Sequence, residues 1–252
     1  MSTILSVKEL CKTYIIKKYS NNVLRNVSFE LEEGDFITVM GPSGSGKSTL
    51  LYTVSGMDSM TSGKVEFNGR DIGSMNRKDL AKLRLNEMGF IFQQMYMMKK
   101  LCVLDNIVLP AYQAGVPRKD ANKHAEELMR RLDIIDIAEH EVNEVSGGQL
   151  QRACLCRALI NGPKVIFADE PTGALNSKAA ADVMRELVNA NREGTSIMMV
   201  THSVRVAAMS DKVLYLMDGD IQGEIELGKL TDEGSITGRE RLLSNWLMER
   251  GW

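Results

Sequence analysis

The 252 residues carry 31 lysines and arginines against 33 aspartates and glutamates, a net charge of -2, with 44% hydrophobic and 25% charged residues. This is average globular usage, which excludes a disordered or fibrous chain and supplies no overall positive field for nucleic acid, so none is expected as a partner. Apolar runs such as residues 165–167 and 197–200 are strand-sized, far short of the roughly 20 residues that cross a bilayer, and residues 1–6 lack a basic-then-apolar leader pattern. The expected address is therefore the cytoplasm, with any membrane role borrowed from another chain. Cys11, Cys102, Cys154 and Cys156 show no paired or zinc-like spacing and read as buried or neutral thiols.

In chain order, the first stretch alternates short β-rich segments with turns. Val27-Ser28-Phe29-Glu30-Leu31 alternates apolar and polar, and the Asn68-Gly69 pair after residues 65–67 is a hairpin cue, so an antiparallel region brackets residues 41–48. Residues 36–40 read as a buried strand, followed by a glycine-rich loop and a helix over residues 49–54. From residue 77 to residue 160 the sequence turns helical: Pro117 starts a helix, and Ala125, Leu128, Met129 and Leu132 repeat at helical spacing. Strand patterns return at residues 164–168 and 196–200 around a helix over residues 179–189, as in a parallel βαβ unit. A last hairpin turns at Asp218-Gly219, and the core ends near Leu227. In the tail, Leu242, Leu243, Trp246 and Leu247 mark an amphipathic helix, either docked on the domain or offered to a partner.

The loop Gly41-Pro42-Ser43-Gly44-Ser45-Gly46-Lys47-Ser48 sits between strand and helix, where its N–H groups and the positive helix end face phosphate oxygens. Lys47 brings a charge to the outer phosphates of ATP, Ser48 offers a hydroxyl to magnesium, and Thr49 continues the contact set. Val165-Ile166-Phe167-Ala168 ends in Asp169 and Glu170. Asp169 is expected to hold magnesium through water, and Glu170 to orient and deprotonate the water attacking the γ phosphate. Ser146-Gly147-Gly148-Gln149 opens a further helix and reads as a cap or as a second phosphate-binding N-terminus.

With Val145 before it, that last motif resembles the Leu-Ser-Gly-Gly-Gln signature of ATP-binding cassette proteins, with valine in place of leucine, and residues 4–227 carry the motifs in the family's order. The resemblance implies an α/β P-loop NTPase fold: a RecA-like parallel core, an antiparallel β subdomain and an α-helical subdomain inserted at approximately residues 95–160. The cassette then covers residues 1–230, with a C-terminal extension over residues 231–252. It further implies that Tyr14 stacks on adenine, that Gln93 reaches magnesium and the attacking water, and that His202 contacts the γ phosphate. Two copies would face head to tail, each closing its Ser146 helix over the nucleotide of the other. Asn176 stands where the family usually has Asp, keeping an acceptor but losing a charge, so slower turnover is expected.

A cassette without a membrane segment is similar to transporter motors whose permease is a separate chain, held peripherally on the inner face of the membrane. Residues 95–101, rich in methionine, are where such a family receives a permease helix, or they simply fill the core. Residues 89–93, 106–110 and 167–175 look like the group serving lipoprotein release, macrolide export and antimicrobial-peptide resistance. Ser177-Lys178-Ala179-Ala180 leans toward the bacitracin-resistance branch. A soluble ATPase of translation or DNA repair would ordinarily show tandem cassettes or a coiled-coil or zinc insertion, which this sequence lacks.

Overall fold

The computed structural model describes residues 2–17, 19–173 and 175–252, and their side chains apart from those of Ile16 and Glu233. Two long strands, β1 (Thr3–Ile16) and β2 (Tyr19–Glu32), pair antiparallel, and β2 buries Leu24, Val27, Phe29 and Leu31 along one face. From Val27 to Leu31 this is the period-2 burial expected of a sheet with one wet side, and a register irregularity separates it from Leu24. The central strand β3 (Phe36–Met40) is buried throughout and leads through the glycine loop into α1 (Lys47–Val54). The strands β4 (Ser62–Phe67) and β5 (Arg70–Asp71) complete a four-stranded antiparallel sheet of order β2-β1-β4-β5, turning at Asn68-Gly69 as the sequence indicated.

Next come α2 (Arg77–Glu87) and β6 (Met88–Ile91). The strand β6 corrects the all-helical reading of residues 77–160: it is an edge strand pairing parallel with β7. Four residues, one of them glycine, carry too little periodicity to announce a strand, and its pairing partner is remote in sequence. The helices α3 (Val103–Gln113), α4 (Arg118–Arg131) and α5 (Gly147–Leu159) follow, then β7 (Val165–Asp169), α6 (Ser177–Arg192), β8 (Ser196–Val200) and the short α7 (Val204–Ala207). The hairpin of β9 (Lys212–Met217) and β10 (Asp220–Glu226) and the helix α8 (Ile236–Met248) close the chain.

The second sheet has the order β10-β9-β3-β8-β7-β6, with all neighbours parallel except β10 and β9. One face packs with α1 against the antiparallel sheet, through Leu50, Leu51 and Val54 meeting Phe67, Phe167 and Met198. The other face carries α3 to α6, where Ala125, Leu128, Met129 and Leu132 are all buried. Covered on both sides, β3, β7 and β8 are buried throughout and mainly apolar. The C-terminal ends of these strands gather the loop after β3, residues 169–173 after β7 and residues 201–203 after β8, the usual crevice for a ligand in such sheets.

The helix α8 buries Leu243 and Leu247 against Tyr215, while Leu242 stays 53% exposed. Arg239 Nε and its terminal nitrogens donate to the carbonyls of Ala208, Leu227, Ser210 and Gly228. This clamp holds the tail against the end of α7, the docked alternative of the sequence reading.

Candidate functional site

The loop after β3 is shaped by two positions that only glycine fits. A Cβ on Gly41 would lie 2.0 Å from the Leu216 carbonyl oxygen of β9, and Gly46 combines a φ of 101° with a Cβ position 2.9 Å from the Val23 carbonyl oxygen. Between them the backbone curls into α1, whose first N–H groups point into the loop without intrahelical acceptors. Lys47 Nζ lies across the mouth, donating to the carbonyls of Gly41 and Pro42 at 2.8 Å each. Burial pushes its pKa down, against the opposing pull of Glu170 and Asp169. The buried Ser45 Oγ has no hydrogen-bond partner among the described residues.

A cavity of about 440 Å³ opens above this loop, lined by Gly41, Ser43, Gly44, Gly46, Lys47, Ser48, Thr49, Gln93, Glu170 and His202, with Val23 and Val200. Asp169, buried at the end of β7, accepts from Ser48 Oγ at 3.0 Å through Oδ1 and from Tyr52 Oη at 2.7 Å through Oδ2. Glu170 adopts a φ of 46°, an unfavourable conformation for a non-glycine residue that costs about 1–3 kcal/mol and tends to persist at working sites. That turn sets its carboxylate 3.1 Å from Thr201 Oγ1 and 2.9 Å from His202 Nδ1. A lysine, two carboxylates, an imidazole and a carboxamide thus surround a loop of backbone donors. Ser48, Gln93 and Asp169 offer hydroxyl, amide and carboxylate oxygens, the hard donor set that suits magnesium beside phosphate oxygens.

Other residues singled out in the sequence are not among the cavity's lining. Tyr14 stands beside Thr49 at the edge of the cavity without lining it; its hydroxyl donates to Asp58 Oδ2 at 2.5 Å, and Lys12 Nζ sits 4.6 Å from the centre of its ring. Burial and Asp58 both push the Tyr14 hydroxyl pKa up. Burial also acts against the Asp58 charge, but hydrogen bonds from Lys12 and Tyr14 outweigh it and hold that carboxyl below its ordinary range. Ser146, Gly147, Gly148 and Gln149 are likewise not among the cavity's lining residues. Ser146 and Gln149 form a reciprocal capping box on α5, worth about 1 kcal/mol to a helix start. From the same helix, buried Gln151 donates at 2.7 Å to the Pro171 carbonyl, tying α5 to the turn after Glu170. Asn176 Oδ1 caps α6 by accepting from Ala179 N at 3.0 Å; the neighbouring Ala174 lies outside the described residues.

The methionine run divides between core and surface. A separate apolar groove of about 550 Å³ is lined by Met57, Ala81, Leu85, Phe90, Phe92 and Tyr96, with Lys78, Lys82, Arg84 and Arg157 among its polar residues. Of residues 95–101 only Tyr96 lines it, while Met97 packs on the helical core and Met98 is 53% exposed. Arg157 binds the carbonyls of Met95 and Tyr96 and fixes the run along α5, and the groove is lined mainly by α2 and β6, with α3 and α5 completing it. Lys12, Tyr52, Asp58 and Gln151 were missed from sequence. Their partners lie 20 to 117 positions away, and only the matched contact marks them.

Comparison with known proteins places the chain in a family. The family model described as ABC transporter matches residues 24–173. The bacitracin export ATP-binding protein BceA of Halalkalibacterium halodurans is 38% identical over 226 residues, 89% of this chain and 89% of that protein. The lipoprotein-releasing system ATP-binding protein LolD of Aquifex aeolicus is 39% identical over 225 residues, 89% of this chain and 99% of its own. Among solved structures, the dimeric post-hydrolysis state of the ATP-binding cassette MJ0796 bound to ADP and Pi superposes with a TM-score of 0.85 at 34% identity, covering 90% of this chain and 100% of that one.

Proposed function

The chain belongs to the ABC transporter family as an ATP-hydrolysing cassette, and from that premise we propose that it is the motor subunit of a transporter whose membrane permease is a separate chain. The observation that carries this reading is the single cavity in which the glycine loop and Lys47 face Gln93, Glu170 and His202. Loop N–H groups and Lys47 hold the phosphates, with the Lys47 ammonium exchanging its two loop carbonyls for phosphate oxygens. Magnesium, held by Ser48 with Asp169 and Gln93, would neutralise charge on the outer phosphates. Glu170 accepts the proton of the attacking water, and His202, fixed against that carboxylate, faces the γ phosphate. Tyr14 stacks on the adenine.

The capped N-terminus of α5 is the natural cover for a nucleotide held by a second copy, so ATP joins two chains and hydrolysis releases them. The apolar groove bounded by Phe92 and Tyr96 receives a cytoplasmic segment of the permease, which keeps this chain on the inner face of the membrane. Within the family, Ser177-Lys178-Ala179-Ala180 favours antimicrobial-peptide resistance of the bacitracin type over lipoprotein release or macrolide export. Purification of the chain from membranes tests the assignment: a copurifying permease with a large extracellular domain supports it, and recovery on ribosomes or DNA would replace it with a soluble ATPase.

A further inference from the structure

Asp169 is 3% exposed, and both its oxygens are engaged from one helix. Ser48 and Tyr52 stand four residues apart on α1, so they share a face one turn apart, and they donate to Oδ1 at 3.0 Å and to Oδ2 at 2.7 Å respectively. Ser48 belongs to the phosphate loop, whereas Tyr52 belongs to no motif. The terminal torsion of an aspartate is broad, so a carboxylate held at one oxygen can rock; a second donor on a rigid ring removes that freedom. The Tyr52 ring is itself held against Phe92, with centroids 6.3 Å apart, and Phe92 meets Tyr96 edge-on at 5.3 Å. Phe92 immediately precedes Gln93, so the same ring contact reaches the segment that carries the amide.

We propose that Tyr52 is a positioning residue for the metal ion: its hydroxyl fixes the rotation of the Asp169 carboxylate, so that Ser48 and Asp169 present their oxygens to the cation in one arrangement. This inference rests on the reading of Asp169 as a metal-side carboxylate. Outer partners of metal-holding groups commonly govern about 10–100-fold in metal affinity, and a single hydrogen bond to a carboxylate that acts through water belongs at the lower end. The Tyr52 hydroxyl donates to Asp169 and to no phosphate-binding group of the loop, so its loss acts on metal and leaves metal-free nucleotide binding intact.

The experiment is titration of a fluorescent ATP analogue into Tyr52→Phe and the unaltered protein, in EDTA and in a magnesium series. The expected result is affinity in EDTA within about twofold of the unaltered protein, with the magnesium concentration for half-maximal enhancement raised about tenfold. An unchanged magnesium dependence overturns the proposal, as does an equal loss with and without metal, which is what a packing role gives. If the unaltered protein gains nothing from magnesium, the parent reading of Asp169 fails and takes this inference with it. Should Tyr52→Phe not fold, 3-fluorotyrosine at position 52 keeps the hydroxyl: its fluorine resonance must shift when magnesium joins the ATP-loaded protein, and a resonance indifferent to magnesium is the refuting result.

Discussion

Glu170→Gln separates the chemistry from the scaffold. The carboxylate oxygens of Glu170 lie 3.1 Å from Thr201 Oγ1 and 2.9 Å from His202 Nδ1. A glutamine in the same rotamer accepts from Thr201 through its oxygen and meets the imidazole through its amide, provided Nδ1 is the acceptor of a neutral ring. The strained turn is set by the backbone, with Glu170 N donating to the Val200 carbonyl at 2.9 Å, and this bond survives the substitution. Stability should therefore stay within about 1 kcal/mol, the scale of one redirected hydrogen bond. An amide cannot take a proton from water, so turnover should fall by about 10²–10⁴-fold. The assay is steady-state phosphate release at saturating ATP, alongside urea unfolding. A variant that retains more than about a tenth of the rate removes Glu170 from the role of general base, and one that unfolds at much lower urea attributes the loss to the scaffold.

Asn176→Asp keeps the α6 cap and restores a charge, so turnover should rise by about fivefold, a coupling of about 1 kcal/mol between paired sites; an unchanged or lower rate counts against a role for that position. Asp58→Asn bears on pH dependence. Because the folded carboxyl is held below its ordinary value, its contribution is present above about pH 4 and is lost as pH falls through the depressed value. The variant should melt lower at about pH 7 and lose less on acidification than the unaltered protein; parallel melting curves would show that the Lys12 and Tyr14 contacts do not stabilise the charge. Arg239→Ala removes a donor to four carbonyls. At about 0.5 kcal/mol for each partly solvated bond it should cost about 2 kcal/mol, a fall in melting temperature of about 4–8 °C, and no change in calorimetry would mean that the tail is not clamped.

Legibility in the sequence followed how local each constraint is. The phosphate loop was readable because a close approach at Gly41 and a left-handed turn at Gly46 leave one residue type at each. The strands β3, β7 and β8 were readable because burial on both faces writes a short, mainly apolar run. The strand β6 was not, because its identity lies in the register Met88 to Val165, which no local pattern records. The same holds at the site: Asp169 and Glu170 announce themselves at a strand end, whereas the bond from Tyr52 to Asp169 spans 117 positions. The placement of residues 95–101 was not legible for a related reason, since the bonds from Arg157 to the carbonyls of Tyr96 and Met95 span 61 and 62 positions.

The loop after β3 is proposed as half of a site whose other half belongs to a second copy. Sedimentation of Glu170→Gln with ATP and magnesium, with and without Ser146→Arg as a second change, tests it most directly. The expected result is a dimer of Glu170→Gln with ATP, monomers with ADP, and monomers of the double variant that still bind nucleotide. Nucleotide-saturated monomers of Glu170→Gln, or a dimer indifferent to Ser146→Arg, would contradict it.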